Sequence, residues 1–153
     1  MKNNEELQKD VQDAIKREPL LNAAEIGVTA QNGIITLYGV VDSYVKKIEA
    51  EDAAKDVEGI RAVVEKIEIH FSNTKIRDDN DIAVDILFSM KLNWEIPENM
   101  VKIKVEDGLV SIEGELQWSY QKESVKRVIS KVAGVKGITN FIKIVPESNL
   151  VQL

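Results

Sequence analysis

The chain has 153 residues, 44% apolar and 30% charged, with no cysteine and a net charge of −6. Such a composition fits a globular protein and excludes disulfides, thiolate metal centres and cysteine nucleophiles. Ten basic residues stand against fourteen acidic ones in 1–75, and ten against twelve in 76–153. There is no basic tract for phosphate neutralisation, which argues against nucleic acid as a partner. No segment approaches the roughly 20 apolar residues of a transmembrane span. The first residues run straight into an amphipathic pattern with no apolar signal core, which points to a cytoplasmic protein, or to a periplasmic one if a leader has been removed.

Shifted by 75 residues, the chain lies on itself without a gap. Asp10, Lys16, Gly33, Gly39, Lys47, Gly59, Ile67 and Ile69 fall on Asp85, Lys91, Gly108, Gly114, Lys122, Gly134, Ile142 and Ile144. Glycines that hold register across two copies imply a shared backbone geometry. The chain therefore divides into two modules, 1–74 and 75–153, each small enough to be marginal alone.

The elements follow in order. Leu7, Val11, Ala14 and Ile15 recur at helical spacing, which predicts a helix from about Asn4 to Glu18, stopped by Pro19. Ile82, Ile86, Ser89 and Met90 hold the matching places in the second copy, with Asp79 to Asp81 as N-caps. Alternating strands then meet at Asn32-Gly33 and at Asp107-Gly108, which predicts hairpins with type I′ turns. Ala50, Ala53, Ala54 and Val57, matched by Val125, Val128, Ile129 and Val132, form a second helix in each copy. Gly59 and Gly134 are expected to be its left-handed C-caps. Val63, Ile67 and Ile69, matched by Ile138, Ile142 and Ile144, make the last strand. The predicted fold is α+β: two repeated helix-strand-strand-helix-strand modules, each with two helices packed on one face of a three-stranded mixed sheet, joined by a right-handed crossover. Gly39 and Gly114, on the inward face of the second strand, are expected to let a helix approach the sheet closely.

This element order, the Gly-x5-Gly spacing of Gly33/Gly39 and Gly108/Gly114, and the later Gly59-Ile60 and Gly134-Val135 resemble the BON domain, named for bacterial osmotically induced and nodulation proteins. The resemblance covers about Glu6 to Phe71 and Asp81 to Pro146. It implies a non-enzymatic, envelope- or stress-associated bacterial module that binds phospholipid or protein partners, often in tandem. It transfers no site residues, since the family carries no universal binding motif.

Catalytic and cofactor signals are weak. His70 is the lone histidine, and its counterpart is Val145, so it is a poor metal candidate. Asp78, Asp79, Asn80 and Asp81 lack the glycine and distal glutamate of a calcium loop and read as a linker and helix cap. Glu113 and Glu115 read as a solvated strand face. No enzyme, metal or cofactor is expected.

Two apolar features stand above this background. Val84, Leu87 and Phe88 lie opposite Ile82, Ile86 and Met90, so this helix is apolar on two sides, where copy one has Lys9, Gln12 and Asp13. Burial on both sides is expected, against Tyr38 and Val40 on the outer sheet face of copy one. A homo-oligomer contact and a lipid or protein ligand are the alternatives. The second feature is Trp94, Trp118 and Tyr120, which the connectivity brings to one end of copy two. Pro19, Ser43 and Val45 stand there in copy one. Rings with an apolar body and a polar tip suit a membrane interface or a protein hot spot. Lys122, Lys126 and Arg127, with Lys131, line the adjoining helix and would meet anionic headgroups. The expected function is peripheral binding of an anionic phospholipid surface or a protein partner through this end. The alternative is an assembly protein without lipid affinity.

Overall fold

The computed structural model describes residues 2–21, 25–71, 77–97 and 99–146. They fall into two compact units, divided after residue 72. Unit 1 runs α1 (Asn4–Lys16), β1 (Ile26–Gln31), β2 (Ile34–Val41), α2 (Tyr44–Lys55) and β3 (Ala62–Ile69). Unit 2 repeats the order as α3 (Asp79–Leu92), β4 (Val101–Glu106), β5 (Leu109–Leu116), α4 (Ser119–Ser130) and β6 (Gly137–Ile144). Each sheet has its second strand in the centre, antiparallel to the first and parallel to the third. The α+β fold expected from the sequence is the one observed.

Period-two patterning decides which sheet face is covered. In unit 1 Ile35, Leu37 and Val41 of β2 turn inward with Val28 and Ile67, and meet Leu7, Val11 and Ile15 of α1 and Ala50, Ala53 and Ala54 of α2. Unit 2 repeats this with Val110, Ile112, Leu116 and Ile142 against Ile82, Ile86, Met90, Val125 and Ile129. Burying each of the largest of these side chains stabilises a unit by about 1.5–3 kcal/mol. The opposite sheet face is open. It carries Ile34, Tyr38, Val40 and Val64 in unit 1, and Leu109 and Phe141 in unit 2.

Both hairpins turn as predicted: Asn32 and Gly33 have φ 53° and 81°, and Asp107 and Gly108 have 52° and 80°, the positive values a type I′ turn requires. Both first helices are capped from outside, Asn3 accepting from Glu6 N at 2.8 Å and Asp78 from Asp81 N at 2.7 Å. An ion pair ties the segment before each helix to its body, Lys2 with Asp10 and Arg77 with Asp85. These pairs stand 75 residues apart.

Three expectations need correction. The first helix ends at Lys16, because Arg17 and Glu18 donate to Asp13 and Ile15 in a closing turn before Pro19 can act. The second helices end at Lys55 and Ser130, capped by Asp56 and Lys131 in right-handed conformation. Gly59 and Gly134, at φ 98° and 94°, are turn residues beyond the caps. Gly39 and Gly114 do not make room for a helix. A Cβ on Gly39 would stand 2.0 Å from the Glu25 carbonyl oxygen, and one on Gly114 2.2 Å from that of Met100, at φ 134° and 145°. The missing side chain accommodates the backbone entering the neighbouring strand.

Candidate functional site

The aromatic end of unit 2 is built by two contacts. The turn after α3 runs from Asn93, whose side chain accepts from Glu95 N at 2.9 Å. Glu95 then accepts from the Ser124 hydroxyl at 3.0 Å, which fixes the turn against α4. Trp94 sits on this turn, two residues beyond the last helical residue, and is 88% exposed. Trp118 is the N-cap of α4. Its indole only donates and cannot cap. Gln121 does that work from inside the helix, its side-chain oxygen accepting from the amides of Gln117 and Trp118 at 3.2 and 3.1 Å. Gln121 is buried in this role, while Trp118 and Tyr120 stay outward, at 49% and 51% exposure.

Helical periodicity divides the basic residues of α4. Tyr120, Glu123, Arg127 and Lys131 recur at three- and four-residue spacing on the flank next to Ser124, hence next to the Trp94 turn. Lys122 and Lys126 occupy the other flank. Their counterparts Lys47 and Glu51 face Glu65 of β3, so they belong on the β6 side. Arg127 and Lys131, with Glu123, thus share the flank of the Trp94 turn, and Lys122 and Lys126 lie on the other flank.

Beside the aromatics, Val84, Leu87, Phe88 and Leu92 make the outer face of α3, each between 52% and 70% exposed. Tyr38 and Val40 are exposed on the outer sheet face of unit 1. Gly27 is bare beneath the Tyr38 ring: a Cβ there would stand 2.2 Å from it. Tyr38 therefore lies along its own sheet.

Clefts are few. One of about 270 Å³ lies beside α3, lined by Leu87, Met90, Ile96, Pro97 and Val101, below the roughly 300 Å³ at which ligand pockets begin. A groove of about 990 Å³ opens at the start of α1. Part of its polar lining is engaged internally: Lys2 binds Asp10 and the Glu58 carbonyl, and Asn4 accepts from Asn32 N at 2.9 Å. Among the described residues no three His, Asp or Glu side chains converge to hold a metal, and no helix is long and apolar enough to cross a membrane. His70 is exposed near Glu68.

Two features escaped the sequence reading. Asp79 does not cap its own helix. It reaches 28 and 29 residues on, accepting from Asp107 N at 2.8 Å and Gly108 N at 3.0 Å, as Asn4 does for Asn32 in unit 1. Glu51 and Glu65 also approach each other between α2 and β3. Burial, a hydrogen bond with Glu65 and the Glu65 charge push the Glu51 carboxyl up to about 7, against Lys55 and Lys47. The signal was the break in the repeat, since Lys126 and Asn140 stand at the matching positions.

A family model for the BON domain matches residues 3–70 and again 78–146. The chain belongs to the BON domain family. The osmotically inducible protein Y of Escherichia coli (strain K12) is 26% identical over 129 residues, covering 80% of this chain and 63% of that protein. This tandem BON chain thus spans less than two thirds of that relative's length. An uncharacterized protein of Anaplasma centrale is 25% identical over 124 residues, covering 79% of this chain and 82% of the relative. Among solved structures, the C-terminal domain of CdsD, the structural protein of the type III secretion system of Chlamydia trachomatis, aligns over 95% of this chain and 100% of its own. Its TM-score is 0.42 and its identity 12%. Both BON modules share the hairpin, cap and ion-pair contacts, whereas Trp94, Trp118 and Tyr120 belong to the second.

Proposed function

We propose that this BON protein is a non-enzymatic, stress-associated binding protein that docks on an anionic phospholipid surface through the aromatic end of its second module. Trp94 carries the reading. An indole 88% exposed on a turn pinned by the Glu95–Ser124 bond is placed to be covered by something else, and its amphipathic ring suits a headgroup layer. Trp118 and Tyr120 extend the same surface. Arg127 and Lys131 add about 1 kcal/mol each near an anionic leaflet, while Glu123 and the net charge of −6 oppose it. Ring insertion therefore provides most of the affinity, and salt weakens it only in part. The stress association draws on the similarity to the osmotically inducible relative.

The exposed face of α3 favours a second reading, an assembly protein whose modules meet other protein surfaces and have no lipid affinity. Tryptophan emission during titration with phosphatidylglycerol-containing and purely phosphatidylcholine vesicles separates the two. A blue shift with anionic vesicles, reduced by salt and by Trp118→Ala with Trp94 as the remaining reporter, supports the lipid reading. No shift at any composition overturns it.

A further inference from the structure

α3 carries two apolar stripes, and its own unit covers one. Ile82, Ile86 and Met90 are buried, while Val84, Leu87, Phe88 and Leu92 stay 52–70% exposed. Asp81 opens the uncovered stripe and Lys91 lies within its last turn. Both are exposed, and among the described residues neither side chain makes an ion pair. The stripe is thus acidic at its start, apolar in the middle and basic at its end, a polarity that matches its own reverse.

We propose that this face of α3 is the two-fold interface of a homodimer, in which α3 packs antiparallel on α3 of a second copy. A two-fold axis beside Ile86 gives the register. Phe88 then meets Val84 of the partner subunit, and Lys91 meets Asp81 of the partner subunit, each contact made twice, as an isologous interface requires. Parallel packing would set like charges together. Four side chains of these sizes and exposures offer on the order of 400 Å² per copy, at the scale of the largest apolar patches on monomers. That is about half of a standard interface side. The dimer is accordingly weak.

Sedimentation velocity on the full chain between about 1 and 200 μM tests the interface, with far-UV circular dichroism as a check on folding. The parent should shift from monomer to dimer across this range. Phe88→Asp should weaken association at least tenfold. Lys91→Glu, which sets a second carboxylate against Asp81 of the partner subunit, should weaken it several-fold, and the double variant Asp81→Lys/Lys91→Glu should restore it. Rescue by charge exchange distinguishes self-pairing from lipid binding, which a vesicle titration reads separately. A parent that stays monomeric at 200 μM overturns the proposal and leaves the face to another occupant, the sheet face of module 1 included. A dimer indifferent to Phe88→Asp, or a double variant no better than Lys91→Glu, overturns it as well.

Discussion

Replacing Gly114 by alanine tests the physical reason for the glycine in the central strand. If Gly114 admitted a helix, a single methyl would be nearly tolerated and only a large side chain would disrupt the fold. The geometry gives another result. The new Cβ would stand 2.2 Å from the Met100 carbonyl oxygen, roughly 1 Å inside ordinary contact, and 3.2 Å from Val101 Cα, against backbone that has no rotamer to escape into. The φ of 145° adds strain of about 1–3 kcal/mol for a residue with a side chain. Relief requires the start of β4 to move and the Val101–Gly114 pairing to open, so the total is about 3 kcal/mol or more. For a unit of this size that lowers the melting temperature by about 12–24 °C. Trp94 and Trp118 both lie in unit 2, so thermal unfolding followed by their emission reports on it. Gly59→Ala is the control, followed by circular dichroism because unit 1 holds no tryptophan: its Cβ would meet nothing closer than 3.7 Å, leaving only the strain of its positive φ. A Gly114→Ala melting within about 4 °C of the parent would refute the close-approach argument.

Asp79→Ala removes one carboxylate and leaves two turn amides without their acceptor. Because the site is half-buried and water replaces part of the loss, unit 2 should lose about 1–2 kcal/mol in urea unfolding, with no change in vesicle binding. Glu51→Gln addresses the carboxyl pair of unit 1. Folding raises the Glu51 pKa from 4.5 to about 7, so the folded state holds the proton more tightly and its contribution to stability is complete below pH 4.5. That contribution is lost as pH rises through 7. The glutamine variant should lack this decline between pH 4.5 and 7 and exceed the parent in stability above it, read from the urea midpoint by circular dichroism. A parent midpoint that does not fall over that window contradicts the pairing.

Local rules made most of the architecture legible. Asn32-Gly33 and Asp107-Gly108 specify their turns within two residues, and the offset of 75 doubled every signal. What failed was longer in range. Gly39 and Gly114 announce that a side chain is excluded, but a glycine carries no information about what fills the space, and the carbonyl that does so comes from another strand. Gly59 and Gly134 mark a left-handed residue, which a C-cap and a later turn both use. Asp79 fits an N-cap as well as a bridge to a hairpin 28 residues away, and only the packed fold separates these. Along α4 the 3.6-residue period sets Tyr120 and Arg127 on one flank and Lys122 and Lys126 on the other, and the vesicle titration decides which of them meets a partner.

The duplication supplies an internal control on which contacts belong to the scaffold. Lys2–Asp10 recurs as Arg77–Asp85, and Asn4–Asn32 as Asp79–Asp107. Glu65 accepting from Ile67 N at 2.8 Å recurs as Asn140 accepting from Ile142 N at 2.9 Å. In each pair the chemistry drifts, lysine to arginine, amide to carboxylate and back, while the bond stays. These contacts hold the fold and need no ligand to explain them. The exposed apolar residues behave in the opposite way. Val84, Leu87 and Phe88 answer to Lys9, Gln12 and Asp13, and Trp94 and Trp118 to Pro19 and Ser43, so the same backbone positions are wet in one module and apolar in the other. Since module 1 folds on the same plan without them, the scaffold does not require these side chains at the surface. Large apolar groups left in water promote association, and a surface that the fold does not need is best explained by a partner it meets. A partner is therefore indicated where the two halves differ: on the α3 face and the aromatic end of module 2, and on the sheet face of module 1, where Tyr38 and Val40 stand in place of Glu113 and Glu115.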